Sequence, residues 1–131
     1  MAGPVSTNAA FYRAFNAHDA DAMETLWAEE HMISCTHPGQ AAVVGRAAVL
    51  QSWREILAVP GATPTPGMSR IVKLTEDVAM ILCVEKLGRV HYAATNLFVQ
   101  ENGVWRMAHH HAGPMQELAS DAASSKAPKK G

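Results

Sequence analysis

The amino-acid sequence predicts an α+β domain in which helices come first and an antiparallel sheet follows. Three observations carry this reading. Apolar residues recur at helical spacing up to residue 57, they alternate with period two from Arg70 onward, and the breaks between the alternating runs are too short for crossover connections. At 131 residues the chain suits one domain, expected over residues 8–114 with a flexible tail at 115–131.

The first helix is read from Phe11, Ala14, Phe15 and His18, which fall on one face, with Ser6, Thr7 or Asn8 as its cap. Asp19 offers a second N-cap, with Asp21 in the following turn where a carboxylate meets the positive end of the helix dipole. Met23, Leu26 and Trp27 form that helix's buried stripe. Residues 31–37 alternate, so Ile33, Cys35 and His37 share one side of a short strand that stops at Pro38-Gly39. Gly45 opens a third helix with Val49, Leu50, Trp53, Ile56 and Leu57 on its apolar face, ended by Pro60-Gly61. The segment from Ala58 to Ser69 holds three prolines and two glycines and reads as a loop.

Four strands follow in succession, in RIVKL, VAMILCVEK, RVHYAATNLFVQ and VWRMAHHHA. The last two are joined by Asn102-Gly103, a pair that tolerates the positive φ of a type I′ hairpin turn. A two-residue turn sets Phe98 opposite Met107 and Asn96 opposite His109. One face then carries Tyr92, Asn96, Phe98, Met107, His109 and His111, and the bulky side chains assign it to the helices. The other, with Ala93, Thr95, Leu97 and Val99, suits a subunit interface and predicts a homodimer through the sheet. A slip of one residue would invert both faces.

Composition narrows the function. Hydrophobic residues make up 48% and charged residues 18%, as in ordinary globular proteins. A formal net charge of −1 gives nucleic acid and anionic membrane no electrostatic hold. No apolar stretch reaches the ~20 residues that span a bilayer. Residues 1–8 lack the basic start and apolar run of a signal peptide, which makes the cytoplasm the expected location. Cys35 and Cys83, each within an apolar stretch, read as reduced and buried.

The segments AFYRAFNAHDADAMETLWA, the strand ending HPG, GRAAVLQSW and the closing ENGVWRMAHHHAGP together resemble the SnoaL-like branch of the nuclear-transport-factor-2-like superfamily, over residues 8–114. The closing segment is also similar to the end of the calcium/calmodulin-dependent kinase II association domain. The resemblance implies a ketosteroid-isomerase-like cone, three N-terminal helices on a curved antiparallel sheet around one internal pocket, with dimers made through the sheet. It spans isomerases, dehydratases, cyclases, epoxide hydrolases and non-catalytic modules, so the fold does not name the function.

Asp19, Asp21, Asp77 and Asp121 fall at helix starts, a turn or the tail, which disfavours chemistry needing an aspartate base in the pocket. A histidine base remains, with His109, His37 and Asn96 as candidates for proton transfer and its support. The pocket is expected to contain Trp27, Cys35, His37, Trp53, Tyr92, Asn96, Phe98, His109 and His111, with Val84 or Glu85 at its mouth. Consecutive residues of the His109–His111 run point to opposite faces, so no metal site and no cofactor are expected. Two readings follow. One is an isomerase- or dehydratase-type enzyme or binding protein for an apolar, oxygen-bearing metabolite; the other is a non-catalytic ligand-binding or oligomerisation module.

Overall fold

A computed structural model describes residues 3–116. Helix α1 spans Pro4–Asn16, α2 Ala20–Thr25 and α3 Arg46–Ala58; the strands are β1 Ser34–Thr36, β2 Val43–Val44, β3 Thr65–Thr75, β4 Val78–Leu87, β5 Val90–Glu101 and β6 Val104–Met115. One six-stranded sheet has the order β2-β1-β6-β5-β4-β3. The helices all precede the four long strands, but the short strands β1 and β2 lie between α2 and α3, and β1 runs parallel to β6. Beyond residue 116 the expected tail lies outside the described residues. Among these residues, no helix is long and apolar enough to cross a membrane.

The expected caps divide into one correct and one displaced. Asp19 accepts from the Ala22 amide at 3.0 Å, starting α2 as its sequence requires. The first helix begins earlier than Ser6–Asn8, at Pro4 behind Gly3, because proline fits the first helical position and gives up no useful donor there. Thr7 instead donates to Trp105 O at 2.9 Å, and Asn8 turns inward. Gly45, at φ 98° and ψ 150°, provides the backbone conformation that lets β2 turn into α3. The loop expected through Ser69 ends at Thr65, where β3 begins along the exposed edge of the sheet.

Phe11, Met23, Trp27, Trp53, Phe98 and Met107 fill the core between the helices and the inner sheet face. Phe11 and Phe15 stand edge-on to Trp53, with ring centres 5.3 and 5.0 Å away. The Asn102-Gly103 turn forms as expected, with φ of 53° and 79°, and Phe98 pairs with Met107. Just beyond that pair the register shifts. Leu97 pairs with His109 and Asn96 with His110, so Ala108 is an extra residue on β6. The shift occurs where β6 changes partner on its outer edge. Met107 exchanges backbone hydrogen bonds with Leu26 and Ala28, after which β1 takes over the pairing.

The end of the β5 strand anchors the exit from α2. Glu101 accepts from the amides of Glu29, Glu30 and His31, each at 2.9 Å, and from His31 Nδ1 at 2.7 Å. Burial alone would raise this carboxyl, but the four donors outweigh it and hold the group at about 2. A depressed carboxylate adds stability above its ordinary value of 4.5 and loses it as the pH falls toward about 2. Glu101→Gln is therefore expected to cost about 2 kcal/mol at neutral pH. In urea titrations, the gap from wild type should narrow toward about pH 3, where the denatured-state carboxyl has taken up its proton and the native one still resists.

Candidate functional site

A recess of about 370 Å³ opens between the inner sheet face, the C-terminal half of α3 and the segment 59–64. Phe15, Trp53, Ile56 and Tyr92 form its walls, and Glu85 and His110 also line it. These last two are each 2% exposed. Strand alternation explains the placement of Glu85, since Ile81, Cys83 and Glu85 all point inward from β4 and pair with Asn96, Ala94 and Tyr92 of β5.

A hydrogen-bonded network lies behind the recess. Asn96 donates from Nδ2 to Asn8 Oδ1 at 2.8 Å and to the Tyr12 hydroxyl at 3.1 Å. Tyr12 donates in turn to Glu85 Oε2 at 2.6 Å. The remaining Asn96 oxygen can only accept, so the 2.6 Å contact with His110 Nδ1 requires a proton on that nitrogen. The other ring nitrogen, Nε2, is then an unprotonated acceptor 3.9 Å from Glu85 Oε2. Burial first, then His37, His109 and His111, lowers the His110 pKa to about 3, so the imidazole is neutral. Burial raises Glu85 against the opposing Tyr12 bond, and burial with Glu85 keeps Tyr12 protonated. The site thus pairs a neutral imidazole with a carboxyl biased toward its acid form.

His37 sits at the rim beyond β1. The Ser52 hydroxyl donates to Val49 O at 2.7 Å, so His37 Nε2 must donate to Ser52 Oγ across 3.0 Å. Burial lowers the His37 pKa and keeps the ring neutral. The cysteines are buried and unpaired with each other, as expected. Burial pushes Cys35 up to about 12 and raises Cys83, so both remain thiols and neither is an activated nucleophile.

Of the nine residues expected in the pocket, His37, Trp53 and Tyr92 line the recess. Trp27, Cys35, Asn96 and Phe98 are fully buried, but they pack behind it. Two expectations are corrected. His109 and His111 point to the outer face, His109 with Nδ1 2.8 Å from Ser34 Oγ and His111 exposed. The Ala108 bulge reverses the alternation, and His110 takes the inward place opposite Asn96. Glu85 belongs beside His110 and not merely at the mouth, and Tyr12 was not anticipated. Both could be seen in the sequence: Glu85 shares the apolar side of β4 with Ile81 and Cys83, and Tyr12 follows Asn8 by one helical turn. Among the described residues, no group of three or more His, Cys, Asp or Glu side chains is placed to hold a metal ion.

Comparison with known proteins agrees with this architecture. A candidate dehydratase of the NTF2-like family from Streptomyces avermitilis is 27% identical, with a TM-score of 0.75 over 85% of this chain and 93% of that one. A candidate calcium/calmodulin-dependent protein kinase type II association domain from Thiobacillus denitrificans is 32% identical, with a TM-score of 0.70 over 86% and 95% of the two chains. A ketosteroid isomerase-like protein from Erwinia carotovora atroseptica, 17% identical with a TM-score of 0.71 over 86% and 93%, shares the fold. Among curated proteins, the F-box protein SKIP8 of Arabidopsis thaliana is 25% identical over 113 residues, covering 85% of this chain and 49% of that protein. The chain thus spans about half the length of this curated relative. The family model for the SnoaL-like domain matches residues 5–117, and the chain belongs to the SnoaL-like family.

Proposed function

We propose that the chain is an isomerase- or dehydratase-type enzyme acting on a neutral, mostly apolar, oxygen-bearing metabolite, with His110 as its base. The observation that carries this reading is the fixed His110 tautomer: Nδ1–H is held by Asn96 while the acceptor Nε2 stands 3.9 Å from Glu85, and both side chains line the recess. In this scheme Nε2 takes a proton from the carbon beside a ligand carbonyl, and Asn96 shares the charge that develops on the ring. The Glu85 carboxyl supplies a proton to a departing hydroxyl in a dehydration. In an isomerisation, His110 returns the abstracted proton to a different carbon. Among the described residues no Lys or Arg lines the recess, so within them a carboxylate or phosphate ligand would meet Glu85 without a balancing cation. The candidate-dehydratase neighbour agrees with this class of reaction.

The test is turnover of a panel of neutral ketones and hydroxy ketones in deuterium oxide, read by mass spectrometry. Enzyme-dependent deuterium uptake or loss of water, absent in His110→Ala, supports the proposal. No exchange or dehydration with any tight-binding panel member would overturn it.

The association-domain neighbour, at 32% identity, favours a second reading in which the recess binds without reacting and the sheet drives assembly. Under either reading we propose a homodimer through the outer face around Ala93, Thr95 and Leu97. Val99 is largely buried within the chain, and Leu82 and Val84 extend the available surface instead. Light scattering at micromolar concentration is expected to give twice the chain mass, and Ala93→Glu to give a monomer by placing like charges across the two-fold axis. A monomeric wild type would refute the interface. A larger ring without turnover would favour the assembly reading.

A further inference from the structure

We infer that His18 is a positioning residue that fastens the outer wall of the recess. This rests on the reading of the recess as a ligand site. His18 occupies the corner between α1 and α2 at φ 55°, a conformation that a histidine adopts at a cost and that asparagine or glycine adopts more readily. Its side chain offsets that cost. Nδ1 is 3.1 Å from Leu57 O in the last turn of α3, and Nε2 is 2.9 Å from Gly61 O in the following loop.

Both partners are carbonyl oxygens, which only accept. The ring donates an N–H to one of them and sets its other nitrogen against the second, so a single side chain spans the end of α3 and the loop that follows. Leu57 O is also one of the carbonyls left unpaired at a helix C-terminus.

The segment held in this way belongs to the site. Val59, Pro60, Ala62, Thr63 and Pro64 all line the recess, as does His18 itself. The far end of the segment has a second fastening independent of His18: Thr63 donates to Asn16 Oδ1 at 2.7 Å, and Asn16 Nδ2 donates to Pro64 O at 3.2 Å. Gly61 and Ala62 therefore depend on His18. Among the described residues, His18 takes part in no ion pair. Asp19 is engaged with the Ala22 amide, Arg54 of α3 with Asp21 and Glu24, and Glu55 with Gln51. Across the recess, the titratable groups among the described residues are His37, Glu85, Tyr92 and His110.

The experiment is nuclear magnetic resonance on the ¹⁵N-labelled full chain, without ligand, comparing wild type with His18→Asn, alongside urea unfolding of both. In wild type, Gly61 and Ala62 should have rigid-backbone order parameters of about 0.85. His18→Asn keeps a residue suited to positive φ, so its fold and urea midpoint should persist, but the order parameters of Gly61 and Ala62 should fall toward about 0.6 while Thr63 stays ordered. Mobile Gly61 and Ala62 in wild type, wild-type rigidity in His18→Asn, or a loss of order spread over the whole chain would each overturn the inference. Because no turnover is measured, a working fastener in an inactive protein would count against the proposed reaction alone.

Discussion

Truncating Trp53 to alanine is expected to destabilise the fold by about 3–5 kcal/mol. The indole is 1% exposed and forms the junction between the core and the recess. Its ring centre lies 4.9 Å from His37 and 5.7 Å from His110, in addition to its contacts with Phe11 and Phe15. Removing it would leave a cavity whose sides are held by α1, α3 and the sheet and cannot all collapse inward. The urea midpoint should fall with the slope unchanged, whereas a changed slope would show that the native or denatured state had altered in compactness. Trp53→Phe retains much of the ring volume, and its indole N–H has no hydrogen-bond partner within ordinary geometry. That variant should recover most of the lost stability, which separates packing from any polar role.

His110→Ala is expected to lower kcat/KM by about 10²–10⁴-fold on whichever panel compound the wild type converts. The more diagnostic variant is Asn96→Asp, which hardly changes shape. It removes the donations to Asn8 and Tyr12 and places a negative charge 2.6 Å from His110 Nδ1. A charge there favours the imidazolium, so the low His110 pKa of about 3 should rise and the free-base fraction should fall as the pH is lowered. The acidic limb of the rate profile should move to higher pH in Asn96→Asp, a result that mere loosening of the site would not produce. If both variants keep wild-type rates, His110 is not the base.

Much of this architecture could be read from local signals. The Asp19 cap, the Asn102-Gly103 turn and the four alternating strands follow from the intrinsic preferences of a few residues, and the structure places them where those preferences lead. The residues that touch the recess were harder to identify because they depend on strand register. Counting back from the turn is correct through Phe98 and Met107 and fails at the next pair. Nothing in Met107-Ala108-His109 marks a bulge, since its cause lies in the backbone bonds that Met107 makes to Leu26 and Ala28, some 80 positions earlier in the chain. Glu85 and Tyr12 had local signals, but their significance depends on the meeting of a helix and a strand separated by 73 residues.

The Ala108 bulge separates two properties of the site that would ordinarily vary together. Met107 pairs with Phe98 and His109 with Leu97, so excising Ala108 would let those pairs follow each other directly. His110 would still oppose Asn96, and His109 and His111 would still face outward. What would disappear is the local bend and added twist that an extra residue imposes on its strand. A single-codon deletion could therefore reshape the chamber without exchanging any of its reactive groups. Residue count on this strand governs the contour of the cavity, residue identity governs its chemistry, and related chains could diverge in the molecules they admit while keeping one proton-transfer apparatus.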